Sequence, residues 1–171
     1  EIAESISKSL SKKAIAVELN GQEQDLSESI NKDAEISILT VDSVKGLNIM
    51  RHTIAAQVLA KALKNLYPKV KLAIGPTIEN GFYYDFELEE SINVDDLPSI
   101  ENEMKNIISQ GNKIEKVYKS KNQAIELFDV RKEEYKVDII KRADQENNFS
   151  IYCQKGTDFI DLCYGPHLPN L

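Results

Sequence analysis

A chain of 171 residues is long enough for one sizeable core or two small ones. Its 42% apolar and 29% charged content is that of an ordinary soluble globular protein, and a net charge of −7 argues against the broad basic surface that non-specific wrapping of nucleic acid needs. The longest apolar runs are only a few residues and no charged-then-apolar leader opens the chain, so neither a membrane span nor a secretory signal is expected and the cytoplasm is the expected compartment. In that setting Cys153 and Cys163 are expected as reduced thiols rather than a disulfide.

Residues 1–13 carry Ile2, Ile6 and Leu10 at the spacing of one helical stripe. In "AIAVELNGQEQDL", Asn20-Gly21 supplies the positive-φ pair of a tight two-residue hairpin, and "AEISILTV" alternates as a further strand. Residues 1–44 therefore read as a helix with at least three strands, barely large enough to fold alone. They open inside a helical pattern, as a piece of a longer chain would. From Gly46 to Tyr67 runs the longest helical pattern, with Leu47, Ile54, Val58, Ala62 and Leu66 on one stripe and Pro68 ending it. "VKLAIGPTIENGFYYDFEL" reads as two or more strands punctuated by Gly75-Pro76 and Asn80-Gly81. An aspartate cap, an early proline and a terminal glycine predict a helix from Leu97 to Gln110. Shorter helical patterns cover 121–129 and 131–141, and the stretch from Phe149 to Leu162 returns to strand. Strands mixed with long helices without regular alternation predict an α+β fold.

Three basic clusters stand out: Lys61, Lys64, Lys69 and Lys71; then Lys113, Lys116, Lys119 and Lys121; then Arg131, Lys132, Lys136, Lys141 and Arg142. Each is expected to be a solvated face.

The chain closes on "FIDLCYGPHLPNL", in which Cys163 and His167 straddle Gly165-Pro166. The proline excludes a helix, and in an extended strand the two residues would sit roughly 13 Å apart. They converge only if the chain bends at Gly165-Pro166. A cysteine, a histidine and the nearby Asp161 suit three roles: metal ligands, a nucleophile with its base, or a polar pocket that orients water. His52, the other histidine, falls at the border of the long helix's apolar stripe, where a hydrogen-bonded border residue is the ordinary expectation.

"RHTIAAQVLAKALKNLYP", "LAIGPTIENGFYYDFE" and "FIDLCYGPHLPN" occur in this order, and together they closely resemble the editing domain in the amino-terminal region of bacterial-type threonyl-tRNA synthetases. The preceding "IAVELNGQEQDLSESINKDAEISILT" resembles the ubiquitin-like β-grasp TGS module that comes first in that family. The resemblance implies a partial TGS-like unit over 1–44 and an editing domain over 45–171 with an antiparallel sheet and a long helix. It implies hydrolysis of serine wrongly esterified to threonine tRNA, with the acceptor end of that tRNA as partner and no membrane. The ligase domain that binds ATP, magnesium and zinc, and through which the full-length enzyme dimerises, is expected to lie outside this stretch; no cofactor is expected within it. Such a second site is needed because serine lacks one methyl of threonine, a difference worth only about 1 to 3 kcal/mol in a binding pocket.

Carried over residue by residue, Cys163 and His167 match the family's CxxxH segment, and Asp161 matches an aspartate that binds the seryl amino or hydroxyl group. Tyr84 matches a pocket wall, and Lys136 a lysine near the terminal ribose or the developing negative charge. With His52 and Gln57 they are the expected site residues. One departure concerns the family's helical HxxxH. Here Ala56 lies four residues after His52, while reading backward from "VLAKALKNLYP" puts Thr53 and Gln57 at the two histidine positions. The helix holds one extra residue relative to the pattern and the second histidine is missing in either register. His52 reaches the site only if the helix shifts or loosens near Arg51. A metal-free pocket is the expectation; the alternatives are a tRNA-binding module with a degenerate site and an alanyl-type zinc-dependent editor.

Overall fold

A computed structural model describes residues 1–89 and 91–171. Two short helices, α1 (Ile2–Ile6) and α2 (Lys8–Lys13), replace the single expected amino-terminal helix. Ser7, with extended backbone, breaks the run and caps α2 by accepting from the Leu10 amide. Of the stripe of Ile2, Ile6 and Leu10 only Leu10 is half-buried, and neither helix contains a fully buried residue. Strands β1 (Ala14–Leu19), β2 (Gln22–Asp25) and β3 (Ile36–Thr40) then form an antiparallel sheet in the order β2-β1-β3. The β1–β2 turn is at Asn20 and Gly21, both at positive φ, as the Asn-Gly pair requires.

The long helix runs as α3 (Val44–Thr53), a π-helical segment (Ile54–Leu59) and α4 (Ala60–Leu66). Ser43 caps α3 by accepting from the Gly46 amide. The Ala60 amide reaches back to the Ala55 carbonyl, five residues earlier, so the segment takes up one residue more than α-helical winding would. Residues from Thr53 to Leu63 are therefore buried on nearly every side, while Leu66 at the end of the expected stripe is 39% exposed.

Four two-residue strands follow: β4 (Lys71–Leu72), β5 (Thr77–Ile78), β6 (Gly81–Phe82) and β7 (Phe86–Glu87), paired β4-β7 and β5-β6. Helix α5 (Leu97–Ser109) begins after a 3-10 turn, with Pro98 in its first turn. The Asp96 carboxylate does not cap α5; it accepts from the Asn93 amide, closing the turn before the helix. Strand β8 (Ile114–Lys119) has no counterpart among the expected elements, because its lysines and glutamate mask the alternation. Helices α6 (Lys121–Val130) and α7 (Glu134–Arg142) and strands β9 (Phe149–Gln154) and β10 (Ile160–Leu162) complete the chain. The last sheet is antiparallel in the order β10-β9-β8. The whole is an α+β fold, and among the described residues no helix is long and apolar enough to cross a membrane.

Three apolar clusters surround the long helix. Ala60 and Leu63 pack with Val70, Leu72, Ile100 and Phe159. Val58 and Ala62 pack on Ile107 of α5. Ile49 packs with Ile15, Ala16 and Leu39 of the first sheet, and Leu168 packs against them. A further cluster, including Phe128, Val137, Ile140 and Ile151, joins α6 and α7 to β9.

Where α3 leaves β3, a Cβ on Gly46 would lie 1.9 Å from the Thr40 carbonyl oxygen, a backbone atom that cannot turn aside. Alanine gains about 1 kcal/mol of helix propensity over glycine, but overpacking costs about 1 to 3 kcal/mol, so the clash wins. Gly46→Ala is expected to lower the unfolding free energy, read as a lower denaturant midpoint at unchanged slope.

Candidate active site

The carboxy-terminal segment after β10 folds back against α3. Its Gly165-Pro166 peptide bond is cis and Gly165 sits at φ +73°. A Cβ there would fall 1.8 Å from the Tyr152 hydroxyl, so only glycine fits the bend. Cys163, directly after β10, places its Sγ 2.9 Å from His52 Nε2, across 111 residues of sequence, and the bend returns His167 to the same place. The His52 and His167 rings stack, with centroids 4.6 Å apart and planes at 10°. The extra residue anticipated in the helix is thus absorbed just after His52, in the π-helical segment, and the α3 end presents His52 to the tail.

Hydrogen-bond accounting fixes the protons. Thr53 Oγ1 donates to the Ile49 carbonyl and accepts from the Leu168 amide at 3.0 Å. Its remaining lone pair is 3.2 Å from His167 Nδ1, so Nδ1 carries the proton. His167 is 1% exposed, and its Nε2 has no partner among the described residues. Cys163 Sγ accepts from the Gly165 amide at 3.4 Å, which leaves the S–H to donate to His52. Burial pushes the Cys163 thiol up to about 12, and Asp161 adds to the shift. Burial also lowers the pKa of His52, against the partial opposition of Asp161 and Asp25. Burial lowers His167 well below the usual histidine range, helped by His52 and Lys116. At neutral pH the site therefore holds a thiol and two imidazoles, all uncharged.

The charge lies beside them. Lys136 is 2% exposed, with Nζ 2.7 Å from Asp161 Oδ1 and in contact with Glu133 Oε2. Burial disfavours its ammonium, but Asp161 and Glu133 outweigh that and hold its pKa above the ordinary value. Burial pushes the Asp161 carboxyl up, countered by Lys136. Lys64 Nζ, 2.9 Å from Glu133 Oε1, completes the set. A cavity of about 270 Å³ opens over this ion pair, and Tyr84, His52, Cys163, Asp161 and Lys136 all line it. Burial raises the Tyr84 pKa, so its phenol stays protonated and able to donate.

Of the expected site residues, His52, Tyr84, Lys136, Asp161 and Cys163 share this cavity, and His167 stands behind it as the second ring of the stack. Gln57 does not line it. It is fully buried on the side of β9, where its backbone and side-chain carbonyls accept from Gln154 Nε2 at 2.6 and 3.4 Å. The winding of the π segment, in which Gln57 lies, turns it away from the tail. None of the three basic clusters is the expected solvated face throughout. Lys61 is 5% exposed and donates to Gln154, Lys136 belongs to the cavity floor, and Lys116 is enclosed by Asp25 and Glu28. Thr53, Glu133, Asp25 and Tyr152 carry the site's polar contacts without any motif that marks them in the sequence.

The nitrogens of His52 and His167 and the sulfur of Cys163 all lie within 4.8 Å of one another, a set with the composition of a metal site. Imidazole lone pairs lie in the ring plane, however, and two nearly parallel stacked rings do not direct them at a common point. The His52–Cys163 distance of 2.9 Å is also that of a hydrogen bond, shorter than the separation of two ligands around tetrahedral zinc. As placed, the three donors do not fit an ion.

These features define a β-grasp-like unit packed on an α+β domain with a buried, uncharged His-Cys-His cluster beside an ion pair, and residues 1–40 match the family model described as the TGS domain. Over almost its full length the chain is similar to the amino-terminal region of bacterial threonine--tRNA ligases. It is 46% identical to threonine--tRNA ligase of Clostridium novyi (strain NT) over 170 residues, 99% of this chain and 26% of the relative. It is 48% identical, with the same coverage, to threonine--tRNA ligase 2 of Bacillus subtilis (strain 168), and 46% identical to the enzyme of Acetivibrio thermocellus. The chain thus spans about a quarter of the length of the curated relatives it matches.

A neutral buried histidine sets the sign of a pH effect. Both histidines have folded-state pKa values below the ordinary 6.5, so below that pH the unfolded chain binds more protons than the folded one. Stability should be unaffected by these groups above 6.5 and should fall as the pH drops below it. The decline, measured by thermal unfolding at pH 7.5, 6.5 and 5.5, is expected to be shallower in His167→Gln than in the unaltered protein.

Proposed function

We propose that the domain formed by residues 45–171 hydrolyses the ester of serine wrongly attached to threonine tRNA, without a metal, and that residues 1–44 form its TGS-like companion. The observation that carries this reading is the enclosure of His52, Cys163, Asp161, Lys136 and Tyr84 around one small cavity. Similarity to threonine--tRNA ligases supplies the tRNA partner.

The chemistry follows from the protonation states. A thiol whose pKa is pushed up to about 12 is not a thiolate at neutral pH, which disfavours attack by sulfur and favours attack by water. The His52–Cys163 pair orients that water; the Cys163 S–H turns away from His52 Nε2, whose freed lone pair accepts the water proton as the water oxygen bonds to the ester carbonyl. The carbonyl oxygen gains negative charge, and Lys136 Nζ and the Tyr84 hydroxyl are the donors on the cavity wall for it. Collapse of the tetrahedral species breaks the ester C–O bond. The electron pair leaves on the ribose oxygen, which takes up the proton. The Asp161 carboxylate, held by Lys136, receives the seryl ammonium. Selection against threonine is by volume, because rejecting an added methyl by contact with a rigid wall is more effective than attracting a smaller side chain. The stacked geometry of His52 and His167 favours the metal-free form of this reading over a zinc-dependent one. The ligation reaction, with its ATP, magnesium and zinc, and the homodimer contact belong in this reading to the rest of a longer enzyme, acting in the cytoplasm.

The test is deacylation of seryl-tRNA(Thr) and threonyl-tRNA(Thr) by the 171-residue protein. Hydrolysis of the seryl ester alone is expected, with no loss in the presence of a chelator. His52→Ala and Cys163→Ala should each slow it on the order of a hundredfold. Demonstrated tRNA binding with no hydrolysis would instead support a degenerate, binding-only module.

A further inference from the structure

Asp25 stands at the end of β2 in the amino-terminal sheet, outside the cavity, yet it is 6% exposed and contacts the histidine end of the site. Its Oδ1 accepts from the His167 amide at 2.9 Å, a bond across 142 residues. Its Oδ2 accepts from the Tyr152 hydroxyl at 2.6 Å and from Lys116 Nζ at 3.2 Å. Lys116 is shared with Glu28 Oε1 at 2.9 Å, so the buried carboxylate of Asp25 is paired and both of its oxygens accept hydrogen bonds.

We propose that Asp25 is a positioning residue for the hydrolytic site and that the amino-terminal unit is for this reason part of that site. The inference rests on the hydrolytic reading given above. Through one oxygen Asp25 fixes the backbone of His167. Through the other it fixes Tyr152, whose ring stands edge-on to the His167 ring, with centroids 4.5 Å apart and planes at 88°. Thr53 holds Nδ1 of the same ring and His52 stacks on its face. His167 is thus held at its backbone by Asp25, at its edge by Tyr152, at its face by His52 and at Nδ1 by Thr53. Releasing the first two frees the ring to move, and His52, with its bond to Cys163, moves with it. That is how a residue outside the cavity acts on the cavity. An ordinary ion pair between two packed units explains the Lys116 contact alone. It does not explain why the carboxylate spends its other oxygen on the amide of His167.

Asp25→Asn keeps the volume and one acceptor but removes the charge that serves Lys116 and Tyr152 together. Tyr152→Phe keeps the ring and removes only the hydroxyl. In the 171-residue protein both variants should lower kcat for seryl-tRNA hydrolysis on the order of ten- to a hundredfold, with KM changed by no more than about twofold. The imidazole nitrogen resonances of His167 should shift in both. Variants that lower the melting temperature while kcat and the His167 resonances stay unchanged would overturn the inference, leaving Asp25 a structural ion-pair member. Should the unaltered protein not hydrolyse seryl-tRNA, the functional reading fails by itself and the resonances decide about positioning: displaced in Asp25→Asn they support it, unmoved they overturn it. Should Asp25→Asn not fold, Tyr152→Phe is judged by the same two readouts.

Discussion

One buried hydroxyl, that of Thr53, joins the long helix to the carboxy-terminal segment. It donates to the Ile49 carbonyl within its own helix, accepts from the Leu168 amide and faces His167 Nδ1. Beyond Cys163, whose amide still bonds to the Ser150 carbonyl of β9, residues 164–168 lie outside helix and sheet. An unpaired polar group at this depth costs about 1 to 3 kcal/mol, and Thr53 satisfies three groups at once while Leu168 packs on the apolar cluster of Ile15, Leu39 and Ile49. With the segment pinned there, Cys163 meets His52, and the cavity follows. A valine at position 53 would fill the same space and leave the Leu168 amide and His167 Nδ1 without partners.

The helix that carries Thr53 meets two demands that α-helical winding alone does not reconcile. Its first part must turn His52 and Thr53 toward the tail. Its last part must lay Val58, Ala62 and Leu63 into the cores shared with α5 and with β4. The π-helical segment between Ile54 and Leu59 absorbs the mismatch, as such bulges do at functional sites. Gln57 is displaced by the same turn, and it finds partners in Gln154 on β9 instead.

Around the uncharged cluster the protein has buried charge in complementary sets. Lys136 lies between Asp161 and Glu133, and Lys116 lies between Asp25 and Glu28. Removing one member of such a set leaves an uncompensated charge, and for this reason these groups define geometry more than they add stability. The first set floors the cavity; the second ties the amino-terminal sheet to its rear wall. Both imidazoles and the thiol stay neutral because they are enclosed, while the carboxylates stay paired because their lysines are enclosed with them.

The residues themselves determined the elements whose signals are local. Asn20-Gly21 makes its hairpin, Ser43 starts the long helix and Pro68 follows its end, Pro98 lies in the first turn of α5, and the motif around Cys163 and His167 bends at Gly165-Pro166. Strand β8 was hidden because its alternation is interrupted by charged residues, one of which, Lys116, faces the buried Asp25. The winding of the helix after His52, the withdrawal of Gln57 and the convergence of Asp25, Tyr152 and Lys116 on His167 were decided only by the tertiary structure. Turn and cap preferences act over a few neighbouring residues. The partners in these contacts are separated by about ninety residues or more, and each satisfies the other only once the intervening chain has folded.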